Sequence, residues 1–171
     1  MQPGRILVAG QDGAFVIKLV GDVRLTLCTT LDEFFDEMLS VEGFASVVVD
    51  LSDALNVDST TLGLLAKLAI KAKERFKFVP LILSTNPDIT RVLESMGFDR
   101  VFRIREEPLL DDEDLGELPV LPCSEDAVKK RVLEVHRTLM GLSDSNQFFL
   151  CTNAILIYLP AAFLSLSALL G

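Results

Sequence analysis

Histidine occurs once in this chain, at position 136, and cysteine three times, at 28, 123 and 151. A lone histidine speaks against a Ser/His/Asp triad, and no His/Cys spacing suggests a metal site. The cysteines are far apart and odd in number, with no Cys-x-x-Cys, so they read as free thiols in a reducing compartment. Positive charge is also scarce: 16 Lys and Arg stand against 25 Asp and Glu, a formal net charge of −9, and no basic run exceeds Lys129-Lys130-Arg131. A phosphate-backbone binder needs a basic stripe, so nucleic acid is set aside as a partner. Glycine is not patterned for nucleotides. Gly10-Gln11-Asp12-Gly13 reads as a hairpin turn, and no Walker, dinucleotide or Gly-x-Ser-x-Gly pattern is present. Asp22, Asp50, Asp53 and Asp58 do not form a glycosidase-like pair by spacing. No basic-then-apolar segment opens the chain, so no signal peptide is expected. These absences leave an enzyme without residues, and neither a cofactor nor a metal is expected.

What is present is an α/β pattern of one core with an appendage, which is what 171 residues allow. Its centre is Val47-Val48-Val49-Asp50-Leu51, then Asn56-Val57-Asp58-Ser59-Thr60-Thr61, then Leu62 to Lys71: buried strand, short loop, helix. The β-branched run suits a strand covered on both faces. Before it, Arg5–Ala9 and Ala14–Val20 form a hairpin, and Thr29 or Thr30 caps a helix with Asp32 and Glu33 in its first turn. In that helix Phe34 and Phe35 belong to an apolar face. After the centre come a strand over Phe78–Leu83 with Pro80 at its start or edge, a short helix over Ile89–Met96, and a strand over Phe98–Ile104. Hairpin followed by alternating helix and strand predicts a mixed sheet with packed helices over residues 1–105.

The loop after a central strand is where open α/β sheets present their chemistry, and here it presents hydroxyls. At about 100° per residue, Leu62, Leu65, Ala66, Ala69 and Ala72 face the sheet. Gly63, Leu64, Lys67, Leu68 and Lys71 then face outward. Extending that phase to the cap places Thr60 with Lys67 and Lys71 and Ser59 nearer the core; it favours Thr60 and keeps Ser59 and Thr61 open. Outward leucines beside hydroxyls and lysines suggest a docking surface, against the plainer alternative that a neighbouring loop covers them.

Asp50-Leu51-Ser52, Asp58-Ser59-Thr60 and Leu62-Gly63-Leu64-Leu65 resemble the signature of STAS domains of the anti-sigma-factor antagonist type, over about residues 5–105. The resemblance implies a STAS-like fold and a phosphorylation-controlled binding switch. Its phosphoacceptor position maps onto Thr60, with Ser59 the alternative, and its partners would be an anti-sigma factor/serine-threonine kinase and a cognate phosphatase or response regulator. Asp58, Ser59, Thr61, Gly63, Leu64, Lys67 and Lys71 would then form the partner-binding face. Two departures stand out. The acceptor is often serine, and Thr61 occupies a position that is often glycine. The runner-up is a non-switching STAS subunit of a membrane-associated complex, such as a lipid-transport assembly.

Residues 106–123 read as an acidic, proline-broken linker unable to fold alone. Residues 124–147 read as an amphipathic helix capped by Ser124, and Val128, Val132, Val135, Leu139 and Leu142 give it a 4-3-4-3 seam. Its partner is the core, a second copy through 124–142, or another protein. His136 sits beside the seam and is expected at the surface or half-buried. From Phe148 to Gly171 no residue is charged. That stretch is long enough to span a bilayer, but Pro160 and Asn153 interrupt it. A membrane tail, a helix buried in an oligomer and a non-native stretch all stay open, so the expected location is cytoplasmic, with membrane association through 148–171 the open question.

Overall fold

The structure, a computed structural model, describes residues 2–109 and 114–146. Strands β1 (Arg5–Gln11) and β2 (Ala14–Val23) form an antiparallel hairpin. Its turn is tighter than the four residues expected from the glycines. Asp12 and Gly13 alone turn the chain, with φ of 52° and 81°, the geometry that matches the twist of the flanking strands. β2 then pairs in parallel with β3 (Ser46–Asp50), β3 with β5 (Leu81–Leu83), and β5 with β6 (Arg103–Arg105). The mixed sheet therefore runs β6-β5-β3-β2-β1, and a short β7 (Gly116–Glu117) pairs antiparallel with β1 at its edge.

Register makes the sheet one-sided. Ile17, Val49 and Ile82 are paired across β2, β3 and β5 and are fully buried. Their neighbours Val16, Val48 and Leu81 point to the other face and are only half-buried. Among the described residues, the continuous valine run is thus not a strand covered on both faces. It alternates, with apolar residues on the outer side as well.

Helices α1 (Cys28–Ser40) and α2 (Ser59–Phe76) contact one another, and Leu31, Phe35, Met38, Leu62, Leu65 and Ala69 share one core with Ile17, Val49 and Ile82. Phe35 is buried and Phe34 only half so. α1 does not begin at a threonine cap. It continues a 3₁₀ turn over Leu25–Leu27, with Leu27 at the N-cap and no side-chain cap bond. The threonines serve other segments: Thr30 Oγ1 accepts from the Leu121 amide at 2.9 Å, and Thr29 Oγ1 accepts from Arg131 at 3.0 Å. Helix α3 (Pro87–Ser95) is capped by Asn86, whose side chain accepts from the Asp88 amide. The strand expected over 98–104 is a 3₁₀ turn at Phe98–Arg100 followed by β6.

Two strands lie where loop and linker were expected. β4 (Ala54–Val57) pairs in parallel with the end of β2, at Gly21, Asp22 and Val23. β7 lies inside the acidic segment, where Leu7 and Val8 of β1 stand opposite Glu117 and Gly116 and Arg5 forms an ion pair with Glu117 at 3.5 Å. That segment is therefore pinned to the sheet edge. Helix α4 (Glu125–Met140) follows, with Ser124 capping the Ala127 amide as its sequence suggests. α4 packs on α2 of its own chain. Val132, Val135, Leu139 and Leu142 are buried in that seam, which is used here within the chain rather than between copies.

Candidate functional site

The hydroxyl segment sits where β4 ends and α2 begins. Asp58 is the N-cap, and its two carboxylate oxygens hold two segments together. Oδ1 accepts from the Thr61 amide at 2.8 Å, and Oδ2 accepts from the Leu25 amide at 2.7 Å. Asp58 thus satisfies an otherwise unpaired amide of the helix and ties the 3₁₀ turn before α1 to it. Its carboxylate is committed to this scaffold.

The three hydroxyls are in different surroundings. Ser59 is half-buried, and its Oγ lies 3.0 Å from Nε2 of His136 on α4. Thr60 is buried, with 6% of its surface exposed. Thr61 is fully buried, and its Oγ1 has no hydrogen-bond partner among the described residues. The sequence phase placed Ser59 nearer the core and Thr60 outward, and the structure reverses that order. Ser59, Gly63 and Lys67 lie four residues apart and form one ridge, and this ridge is the line along which α4 is seated.

The outward face of α2 is therefore not open. Leu64 and Leu68, expected beside water, are fully buried. Gly63 faces the main chain of α4, where an added Cβ would stand 2.5 Å from the Val135 carbonyl oxygen. Lys67 Nζ forms ion pairs of 2.9 Å with Asp32 on α1 and 2.9 Å with Glu134 on α4. Asp32 also accepts from Arg131 Nε at 2.8 Å, so one carboxylate joins α1, α2 and α4. Burial alone would raise the Asp32 pKa; the bonds from Arg131 and Lys67 outweigh it and hold the carboxyl below its usual range. Lys71 pairs with Asp36 on α1 at 2.6 Å and keeps about a third of its side chain exposed. Of the residues expected to meet a partner, Asp58, Ser59, Lys67 and Lys71 are half-buried, whereas Thr61, Gly63 and Leu64 are buried.

His136 is the residue that sequence reasoning left out. It is buried, with 7% exposed, rather than at the surface or half-buried as expected. Burial lowers its pKa, opposed by the charge of Asp58, so the ring is neutral near pH 7. Its Nδ1 is buried with no hydrogen-bond partner among the described residues. A buried donor without an acceptor is rarer than an acceptor without a donor, so the tautomer protonated at Nε2 and donating to Ser59 is favoured. In that arrangement the ring donates to the serine, and no carboxylate among the described residues meets its other nitrogen. The pair joins the start of α2 to α4. The only hint in the sequence was its place beside the seam.

Beside the start of α2, a shallow groove of 150 Å³ is lined by Leu55, Asn56, Val57, Leu62, Asn86 and Val92. Leu55 and Val92 are among the most exposed large apolar residues, at 61% and 41%. Beneath the site, the fully buried Asp50 at the end of β3 faces Lys18 at 3.8 Å, and Lys18 also pairs with Asp53 at 2.8 Å. No cluster of metal-ligating side chains occurs among the described residues.

Mixed sheet, capped α2 and a hydroxyl cluster at its start together define the class. The family profile described as "Mlab, STAS domain" matches residues 6–110, and the chain belongs to this family of STAS-domain proteins. Its fold is similar to that of an anti-sigma factor antagonist from Mycobacterium paratuberculosis. That comparison gives 17% identity and a TM-score of 0.52, covering 77% of this chain and 95% of the other. A proposed anti-sigma factor antagonist from Thermotoga maritima is similar at 21% identity and a TM-score of 0.50, covering 57% of this chain and 82% of that one. The antagonist SpoIIAA in its unphosphorylated form aligns at 13% identity and a TM-score of 0.49, over 75% and 97%.

Proposed function

We propose that the protein is a binding switch of the anti-sigma-factor antagonist kind, controlled by phosphorylation in the hydroxyl segment that opens α2. The observation that carries this reading is the capped start of α2, which holds Ser59 half-buried against His136 of α4 and Thr60 buried next to it. In the unmodified state an anti-sigma factor or a related regulator docks there. A kinase then transfers the γ-phosphoryl group of ATP to the hydroxyl. The bond from the γ-phosphorus to the bridging oxygen breaks, a bond to Oγ forms, the hydroxyl proton goes to a base of the kinase, and ADP leaves. The chain is the substrate in this step.

The family resemblance assigns the acceptor to Thr60, and accessibility favours Ser59 as the hydroxyl a kinase reaches first. Either phosphate brings about −1.5 to −2 charges. Unpaired N–H groups and the dipole at the start of α2 tolerate that charge, so the fold survives. A partner surface that must bury it does not. One poorly paired charge at an interface costs roughly 3–5 kcal/mol, a change of two or more decades in affinity. A phosphatase restores binding. The test compares partner capture from native cells by wild type, Ser59→Asp and Thr60→Asp. Loss in one of the acidic variants supports the switch, and equal capture by all three removes it.

A second reading, a non-switching subunit of a membrane-associated complex, draws on the uncharged stretch 148–171, which lies outside the described residues. No helix among the described residues is long and apolar enough to cross a membrane. Under this reading the protein fractionates with membranes and is never phosphorylated.

A further inference from the structure

The α2 face that sequence assigns to a partner already holds a ligand, the chain's own α4. The fit is specific to a helix. At Gly63 the two main chains come so close that an added Cβ would stand 2.5 Å from the Val135 carbonyl oxygen. Around that crossing α4 supplies the apolar residues Val132, Val135 and Leu139. On its flanks it supplies opposite charges, Glu134 to Lys67 and Arg131 to Asp32. The groove therefore reads an amphipathic helix with a carboxylate and a cation at set positions.

Two features make this occupant exchangeable. The segment leading to α4 is anchored independently, by β7 on β1 and by the Leu121 amide on Thr30, so the tether stays in place when the helix leaves. The seat is also imperfect, because docking buries His136 with Nδ1 unpaired among the described residues, a cost that release into water removes.

We propose that the α1–α2 face is a helix-binding groove that α4 holds within the chain. The protein partner of the switch enters as an amphipathic helix, with a carboxylate opposite Lys67 and a cation opposite Asp32, and displaces α4. This rests on the binding function above and adds what the partner must present. Partner binding and α4 docking are then mutually exclusive.

The test uses the full chain and, as probe, a fluorescent peptide of its own residues 121–146. Val135→Asp/Leu139→Asp disables the tethered helix and leaves the groove intact. The peptide binds this variant at least tenfold more tightly than wild type, in which α4 excludes it. A peptide with Arg131→Glu and Glu134→Arg binds at least tenfold more weakly. Equal tight binding to both proteins overturns occupancy within the chain, and no binding to the folded variant overturns the groove. If that variant does not fold, full-length Arg131→Glu/Glu134→Arg, which keeps the apolar seam, decides. Faster amide exchange in α4 with tighter peptide binding supports the proposal, and wild-type behaviour overturns it. Peptide binding in a chain that is never phosphorylated in its cells retains the groove and removes only the phosphoswitch.

Discussion

Asp58 and His136 carry the site at the scale of single residues. Asp58 serves two amides, Thr61 and Leu25, so its removal loosens both the start of α2 and the turn before α1. Asp58→Ala is expected to cost about 1–2 kcal/mol, the upper range for losing an N-cap, and Asp58→Asn less, because one amide oxygen still caps the helix. Urea denaturation of the two variants measures the difference. For His136 the sign follows from burial. Its pKa is lowered in the docked state, so once pH falls below about 6.5 the released helix takes up a proton that the docked helix refuses. The contribution of His136 to docking is therefore complete above that pH and declines as pH falls toward the lowered value. Exchange of α4 amides, corrected for intrinsic rates, is expected to rise between pH 7.5 and 5.5, and the rise is expected to vanish in His136→Asn. The groups facing the ring are the Ser59 hydroxyl and, through its charge, Asp58.

At the scale of elements, the parallel pair β2–β3 contains a second charged device. Lys18 and Asp50 stand opposite one another in register, and Asp50 is fully buried. Lys18→Met leaves that carboxylate without its cation and is expected to destabilise the fold by roughly 3–5 kcal/mol, read as a lower urea midpoint. The double variant Lys18→Met/Asp50→Leu should recover much of the loss, and failure to recover would mean that the pair positions the β3–β4 loop rather than balancing charge.

The same scale shows what periodicity could and could not reveal. The β3–loop–α2 unit was legible because its valines, cap and helical stripe agree. β4 was not, since Ala54–Val57 is too short to display alternation and its pairing depends on β2, distant in sequence. β7 was hidden by the surrounding acidic residues, because edge pairing uses main chain rather than side chains. The seam of α4 was legible, but its target was not. Leu64 and Leu68 on α2 and Val135 and Leu139 on α4 are the two halves of one contact, and each half alone reads as an open docking face. His136 joined the site only through that packing.

The whole molecule joins three parts: a STAS sheet, a hydroxyl segment held at the start of α2, and a tethered helix across the α2 face. The proposed switch requires modification of the hydroxyl segment. Intact-mass and phosphopeptide analysis of protein isolated from its own cells tests this directly, because trypsin releases the segment within residues 25–67. A single phosphate on Ser59 or Thr60 that comes and goes with growth conditions is the expected result. Absence of phosphate under all conditions, with the protein constantly bound to its partner, would contradict it.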